Sequence, residues 1–355
     1  MSEEYDMTAP IALTAEETLM HAEAESAANV VAKQIEANAP ILRALGEKLR
    51  AVKPRAVVTC ARGSSDHAAT YAKYVIETKA GLLVSSAAPS ICSVYNATQM
   101  LEGTLFIGIS QSGASPDLVR TATAAKDAGA LVVALVNVEA SPLAAIADVV
   151  VPLHAGPEKS VAATKTYIAS LAAILQLVAH WTEDAELLTA LETLPLNLSA
   201  AWACDWGAAT RALLEANNFF VCGRGVGFGV AQEAALKFKE TCGLHAEAYS
   251  SAEVKHGPMA IVNAGFPVLV FSQKDETRGG VQELVTDFSD RFARVITAGD
   301  GLKGGIELPV VKDANPFVEP ILMIQSFYRM ANALSVARGF HPDEPPHLNK
   351  VTETV

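Results

Sequence analysis

The sequence has few of the features that mark secreted, membrane-spanning or nucleic-acid-binding proteins. Its five cysteines are an odd number without a C-x-x-C pair, which argues against a disulfide framework and a zinc site and fits a reducing, cytoplasmic compartment. No apolar run approaches about 18 residues, and the acidic start MSEEYDMTAP has no apolar core, so neither a membrane span nor a signal peptide is predicted. The net charge of −12 disfavours nucleic acids and anionic membranes as partners.

Length and apolar content predict the domain count. A chain of 355 residues, half of them hydrophobic, is typical of two domains that each bury a core. We expect an N-terminal helical segment, two domains and a C-terminal tail, over residues 1–50, 51–200, 201–340 and 341–355. The prolines of the tail favour an extended arm over a helix.

Apolar runs alternate with helical stretches and predict the fold class. Strands are expected at residues 56–60, 105–109, 130–136 and 149–153, each followed by a helix or a turn. Such alternation predicts an α/β fold in which a parallel sheet has helices on both faces. Helix is also expected over 15–52 and 184–217.

The strand pattern recurs in the second half of the chain. VVTCARG at 57–63 is echoed by FFVCGRG at 219–225, and FIGISQ at 106–111 by VLVFSQ at 268–273. Both pairs are offset by 162 positions. Any two parallel-sheet domains look alike, but a general likeness of this kind does not produce the same offset twice. The repeat predicts a duplicated domain.

The segment SQSGASPD, which begins at Ser110, is typical of a phosphate-binding loop at a strand-to-helix junction. Backbone N–H groups and the positive end of a helix dipole point outward there, and Gly113 lets the backbone approach a ligand. The side chains of Ser110, Gln111, Ser112 and Ser115 add polar groups. The alternative is a plain capped helix start.

Two further serines are expected beside this loop. Ser64 and Ser65 follow the first strand, and neighbouring strand ends meet at one edge of an α/β sheet. The second copy of the loop, SQKDET, carries Asp275 and Glu276, which would repel an anion. The sequence therefore predicts one phosphate site, in the first domain.

The densest acid–base chemistry lies in residues 233–258. Glu240 lies three positions after Lys237, on the same helix face, and a carboxylate beside a lysine in a cleft is a candidate general base. The alternative is a surface ion pair. His256 stands before a Gly-Pro turn, and histidine is the residue type that exchanges protons near neutral pH, but a histidine bonded to nearby backbone is an equal alternative. Lys350 has no predicted role from its position alone.

In combination these motifs resemble a known family. The loop SQSGASPD, the helix EAALKFKE, the stretch LHAEAYSSAEVKHGP and the K-V-T end resemble the isomerase half of glutamine–fructose-6-phosphate aminotransferase. That half consists of two sugar-isomerase (SIS) domains, each a doubly wound, flavodoxin-like sheet. Through RGSSDHA and VAATKTY, the chain is more similar still to short SIS-type glucosamine-6-phosphate deaminases. The resemblance runs from about residue 20 to 355.

The resemblance implies a role for each candidate residue. The phosphate ligands would be Ser110, Gln111, Ser112 and Ser115, with Ser64 and Ser65 beside them, and Val161 and Ala162 would contact the sugar. Glu240 would move a proton between C1 and C2, with Lys237 beside it. His256 would open the sugar ring in the partner subunit's site, and Lys350 would lie over the open-chain sugar. The assembly implied is a homodimer with shared active sites.

The implied reaction converts glucosamine 6-phosphate into fructose 6-phosphate and ammonia, without a metal or other cofactor. Ser2 stands where the aminotransferase has its N-terminal cysteine nucleophile, so we expect no glutamine hydrolysis. Ala114 and Ala163 replace an acid and a serine of the family pattern, which leaves the substrate preference open. The alternatives are a fructosamine-6-phosphate deglycase, an aldose–ketose isomerase and a non-catalytic sugar-phosphate sensor.

Overall fold

The computed structural model describes residues 13–350. The predicted N-terminal helix is divided into a 3₁₀ turn (Ala15–Glu17) and two α-helices, α1 (Leu19–Glu25) and α2 (Ala27–Val52). The Thr18 hydroxyl caps α1 by accepting a hydrogen bond from the backbone N–H of His21. Sequence periodicity predicted one element here because the break at Ser26 barely changes which face is buried.

The first domain contains five parallel strands in the order β2-β1-β3-β4-β5. These are β1 (Val57–Cys60), β2 (Val84–Ser86), β3 (Leu105–Ser110), β4 (Leu131–Val136) and β5 (Val149–Pro152). The helices are α3 (Ser64–Ala80), α4 (Ser90–Ser93), α5 (Pro116–Asp127), α6 (Pro142–Ile146) and α7 (Lys165–Thr182). All four predicted strands are present, whereas the three-residue β2 is too short for an apolar pattern to reveal.

Two helices connect the domains. The predicted helix over 184–217 is in fact α8 (Ala185–Ala203) and α9 (Gly207–Leu213). Asp184 caps α8 by accepting a hydrogen bond from the backbone N–H of Leu187. The helical prediction was therefore right for the two helices and wrong for the extended residues around Cys204 that separate them.

The second domain repeats the topology of the first. Its parallel strand order is β7-β6-β8-β9-β10. The strands are β6 (Asn218–Gly223), β7 (His245–Ser250), β8 (Pro267–Phe271), β9 (Arg294–Ala298) and β10 (Ile306–Leu308), and the helices are α10 (Phe228–Cys242), α11 (Arg278–Asp290) and α12 (Glu319–Ala337). Both sheets have the flavodoxin-like order, so the predicted doubly wound α/β fold is confirmed.

Strand register confirms the duplication at the level of single residues. Val58 pairs with Phe106 in the first sheet, and Phe220 pairs with Val268 in the second. Both partners are displaced by the same 162 positions that relate the two cysteines Cys60 and Cys222. We call two residues separated by this offset twins.

The twin helices α3 and α10 pack against each other between the sheets. A Cβ atom at Gly229 would lie 2.6 Å from the carbonyl oxygen of His67, so only glycine permits this close approach. One continuous hydrophobic core joins residues of both domains, including the largely buried α7 and α12. The last turn of α10 thereby reaches the C-terminal edge of the first sheet. None of the helices within residues 13–350 is long and apolar enough to cross a membrane.

Candidate functional site

A cavity of about 370 Å³ lies at the C-terminal edge of the first sheet. Five segments that are distant in sequence surround it: the loops after β1 and β3, the loop before α7, the end of α10, and the C-terminal tail. Its lining contains nine of the predicted site residues: Ser64, Ser65, Ser110, Gln111, Ser112, Ser115, Val161, Glu240 and Lys350. Three predicted site residues do not line this cavity: Lys237, Ala162 and His256.

The loop between β3 and α5 has the geometry of an anion cradle. The hydroxyl of Ser110 accepts a hydrogen bond from the N–H of Gly113 at 3.0 Å, which closes the turn. Gly113 has φ +62°, and a Cβ atom there would lie 2.2 Å from Ser141 Oγ. Ser115 occupies the N-cap position of α5, yet its side chain makes no capping hydrogen bond. The plain capped-helix alternative therefore does not describe this loop, and the Ser115 hydroxyl stays available to a ligand.

Arg62 adds a positive charge that the sequence predictions missed. Arg62 lines the cavity, and its guanidinium donates two hydrogen bonds to Asp117 Oδ2, at 2.9 and 2.6 Å. Asp117 is buried in the first turn of α5, whereas about half of the Arg62 side chain is exposed. The conspicuous serines that follow drew attention away from Arg62, although its position directly after a strand was the available signal.

Lys237 lies behind the cavity wall rather than in it. Its side chain is 1% exposed, and its ammonium donates to Glu240 Oε2 at 2.5 Å and to Ser64 Oγ at 3.1 Å. Burial lowers the pKa of Lys237, but the carboxylates of Glu233 and Glu240 outweigh this and hold that pKa well above its usual value. The Lys237 ammonium therefore fixes the Glu240 carboxylate at the cavity wall. The alternative of a surface ion pair is wrong for this pair.

The ion cluster continues through the interface between the domains. Glu233 is fully buried, and its carboxylate contacts Lys237 Nζ at 3.4 Å, His67 Nδ1 at 3.0 Å and the donating hydroxyl of Tyr328 at 3.0 Å. Burial raises the pKa of Glu233, but Lys237 and His67 outweigh it and hold that pKa below its usual range. The cluster ties α3, α10 and α12 together directly behind Glu240.

The tail brings Lys350 back over the first domain. Its ammonium donates to the carbonyl of Ser160 at 2.7 Å and lies 3.4 Å from the buried Glu158 carboxylate. The other Glu158 oxygen accepts the backbone N–H groups of Thr164 and Thr166 at 3.0 and 3.1 Å. Glu158 thus fixes both the tail and the loop before α7, a role that its sequence surroundings gave no means of predicting.

The loop before α7 differs from the prediction at one of two positions. Val161 lines the cavity, but the side chain of Ala162 is buried at 1% exposure and Ala163 lines the cavity instead. The side chain of Ala162 therefore does not line the cavity, and its contact with the sugar stays a prediction. Asp343 of the tail accepts a hydrogen bond from Val161 through its backbone carbonyl, which joins loop and tail.

His256 stands apart from the cavity of its own chain. It ends a 3₁₀ turn (Glu253–His256) beyond β7, is exposed, and precedes Gly257 with φ +139°. Within the single chain it contacts neither Glu240 nor the phosphate loop. Among residues 13–350, no three His, Cys, Asp or Glu side chains are grouped so that they could hold a metal ion.

Comparison with known proteins gives a consistent set of relatives. The sequence model of the SIS domain matches residues 51–180 and 212–297. A solved structure from Silicibacter pomeroyi DSS-3, assigned as a phosphosugar isomerase, is 42% identical, has a TM-score of 0.88, and matches 92% of this chain and 100% of its own. Glutamine–fructose-6-phosphate aminotransferase of Thermotoga maritima is 33% identical over 83% of this chain.

These relatives differ in how much of each protein is matched. The chain spans about half the length of the curated relatives it matches, with 50% of the Thermotoga maritima aminotransferase covered. Glucosamine-6-phosphate deaminase of Thermotoga maritima has a TM-score of 0.71 over 92% of this chain and all of its own, at 22% identity. At that identity the likeness shows a common fold.

Proposed function

Because the chain belongs to the SIS domain family, we propose that it is an enzyme of amino-sugar metabolism that hydrolyses glucosamine 6-phosphate to fructose 6-phosphate and ammonia. One observation carries this proposal. A serine-rich anion loop, the Glu240 carboxylate and the Lys350 ammonium line a single cavity, and no one segment of the chain could supply all three. The cavity volume of about 370 Å³ suits a sugar phosphate.

The phosphate would be held in the loop after β3. The Ser112 and Ser115 hydroxyls, the Gln111 amide and the N-terminal N–H groups of α5 offer donors, and the helix dipole favours an anion. Ser64 and Ser65 lie across the same cavity. Arg62 adds positive charge, which Asp117 partly offsets. Binding at the phosphate would leave the other end of the sugar near α10.

Glu240 would then act on the open-chain sugar. The carboxylate removes the proton from C2 of the amino aldehyde, and returning that proton to C1 leaves an imine at C2. Water adds to the imine, the C–N bond breaks, and ammonia leaves with fructose 6-phosphate as the ketose product. The contact of Lys237 with Glu240 at 2.5 Å orients the carboxylate, and the Lys350 ammonium covers the sugar.

The exposed position of His256 supports a second part of the proposal, a homodimer with shared active sites. A ring-opening histidine has to touch the sugar, and His256 does not reach the cavity of its own chain. We propose that it enters the cavity of the partner subunit. All five cysteines are free thiols, which fits the cytoplasmic location that we also propose.

A simple aldose–ketose isomerase is the second candidate. The 42%-identical Silicibacter pomeroyi protein is assigned as a phosphosugar isomerase, and the same loop and base would serve that reaction. Isomerisation ends when the proton reaches its new carbon, whereas deamination also requires water at C2. Product analysis separates the two.

The test is to incubate the purified chain with glucosamine 6-phosphate and to assay ammonia and fructose 6-phosphate in parallel. We expect equal amounts of both. Glu240→Gln should lower turnover by about a hundredfold or more, because a positioned base contributes about 10²–10⁴-fold. Binding of the substrate to this variant should stay nearly unchanged.

The matched control is Glu192→Gln, which removes an exposed carboxylate of α8 that is distant from the cavity and should leave turnover unchanged. Ketose formation from an aldose phosphate without ammonia would favour the isomerase. Normal turnover by Glu240→Gln would refute the assignment of the base.

A further inference from the structure

The second domain has a cavity of its own at the equivalent edge of its sheet. This twin cavity has a volume of about 1180 Å³, and its walls come from the loops after β6 and β8 and from α3 of the first domain. Duplication explains its position. Where α10 covers the edge of the first sheet, the twin helix α3 covers the edge of the second.

Twin positions correspond residue by residue across the two cavities. Arg224 and Gly225 line the twin cavity 162 positions after Arg62 and Gly63 of the first. The segment 274–277 likewise corresponds to the phosphate-loop segment 112–115. The twin of Glu240 is Thr78, which lies 162 positions earlier in the sequence. Thr78 lines the twin cavity at the position where Glu240 lines the first cavity.

The twin cavity lacks a general base at that position. The Thr78 hydroxyl donates to the carbonyl of Tyr74 within its own helix at 2.6 Å. A threonine hydroxyl does not accept a proton from carbon near neutral pH. The carboxylate of Glu240 in the first cavity therefore has no counterpart at the equivalent position of the twin cavity.

Arg224 lacks the carboxylate partner that its twin, Arg62, has. Arg62 is paired with the buried Asp117, whereas position 279, the twin of 117, is Gly279. Within residues 13–350 the Arg224 guanidinium has no hydrogen bond or ion pair, and the residue is half-buried at the cavity wall. A half-buried arginine without a carboxylate is a ready partner for an anionic ligand group.

Carboxylates face the same space. Glu276 and Glu186 line the twin cavity and are exposed, and neither has an ion-pair partner among the described residues. The loop that carries Glu276 is held by its own contacts, since Asp275 accepts hydrogen bonds from the Thr277 N–H at 2.9 Å and the Gln273 amide at 2.7 Å. A fixed loop with a free carboxylate favours an ammonium group.

We propose that the twin cavity is a non-catalytic binding site for a small zwitterion, a molecule that carries both an amine and a phosphate or carboxylate. Arg224 receives the anionic group, and Glu276 receives the ammonium. Amino-sugar phosphates and free amino acids both have this chemistry. The assignment does not depend on the reaction in the first cavity.

The experiment is calorimetric titration of the full chain carrying Glu240→Gln, which slows turnover. Saturating glucose 6-phosphate, a phosphate without an amine, first fills the first cavity, and glucosamine 6-phosphate or serine is then added as the zwitterionic probe. We expect one further site per chain. Arg224→Ala and Glu276→Gln should each weaken that site about tenfold or more, because each removes a charge-assisted contact.

Lys303→Ala, which removes an exposed lysine paired with Glu307, is the control and should leave the further site intact. Binding of only glucosamine 6-phosphate identifies the amino-sugar phosphate as the source, and binding of only serine identifies the amino acid. No further site, or one that neither Arg224→Ala nor Glu276→Gln weakens, overturns the proposal. Failure of glucose 6-phosphate to bind instead counts against the phosphate site of the first cavity.

Discussion

At the residue scale, Lys237 shows how one side chain serves both stability and the site. Its ammonium is almost completely buried and is shared between Glu233 and Glu240. Two carboxylates around one lysine leave a net negative charge, and contacts of Glu233 with His67 and Tyr328 distribute it. A buried cluster of this kind tolerates loss of a member poorly, because the fully buried Glu233 carboxylate cannot reach water.

Lys237→Met should lower the free energy of unfolding by about 3–5 kcal/mol, since it leaves two carboxylates near each other without their cation. Denaturant unfolding followed by circular dichroism measures this change. The control Lys303→Met removes an exposed i,i+4 pair and should cost no more than about 1 kcal/mol. Equal effects of the two substitutions would show that the cluster does not stabilise the domain interface.

The sequence predicted the spacing of Lys237 and Glu240 but not the burial of the lysine. Helical periodicity places residues three apart on one face, and this needs no tertiary information. Burial of Lys237 depends on α3 of the other domain, which supplies Ser64 and His67. A surface ion pair and a buried cluster look alike in sequence because the covering helix lies more than 150 positions away.

At the element scale, the loop between β3 and α5 owes its shape to one glycine. Gly113 combines a positive φ with a neighbour, Ser141, that leaves no room for a side chain. The backbone carbonyl of Gly113 accepts a hydrogen bond from the N–H of Leu143, and this bond ties the loop to α6. A residue with a Cβ atom would have to displace both the loop and the start of that helix.

Gly113→Ala should weaken fructose 6-phosphate binding by about tenfold or more, because a displaced loop no longer aligns its N–H groups. Gly156→Ala is the matched control, since Gly156 also has a positive φ, of +65°, but has no atom within 4 Å of the added Cβ. Both carry the same left-handed backbone penalty, so their difference isolates the clash. Binding measured by calorimetry that is equal in the two variants would contradict the role given to the loop.

Short and edge elements were the hardest to predict. β2 and β10 contain three residues each, and β7 has the sequence HAEAYS, which alternates without being apolar. β2, β7 and β10 each pair with a single neighbouring strand. Central strands are apolar runs because both of their faces are buried, whereas these three edge strands lack such a run; the edge strand β5, with the sequence VVVP, is the exception.

At the scale of the whole molecule, the duplication created two equivalent sheet edges that have since diverged. Glu240 and the serine loop meet at one edge, while Thr78 and the charged loop meet at the other. The first domain supplies α3, which covers the edge of the second sheet, and the second domain supplies α10, which covers the edge of the first sheet. Neither cavity is complete within one domain.

The proposed homodimer predicts complementation between two inactive variants. Glu240→Gln and His256→Gln chains should each be inactive as homodimers. If His256 acts in the cavity of the partner subunit, a mixed dimer has one intact active site. Random mixing of equal amounts should therefore recover about a quarter of wild-type activity.

Ammonia release from the two variants, denatured and refolded together, measures the recovery. The control refolds each variant alone at the same total concentration. Absence of recovery, with mixed dimers present by native mass spectrometry, would place the action of His256 within its own chain or remove it from the reaction.

The sequence by itself determined the fold class and the duplication and predicted a phosphate-binding loop, since periodicity, offset and turn chemistry are local properties of the chain. It also predicted nine residues that line the cavity. Tertiary structure alone decided that Lys237 and Ala162 are buried, that Arg62 and Glu158 belong to the site, and that a second cavity exists. Each of these depends on which distant helix or tail covers a sheet edge, and such long-range packing is not encoded in any local pattern.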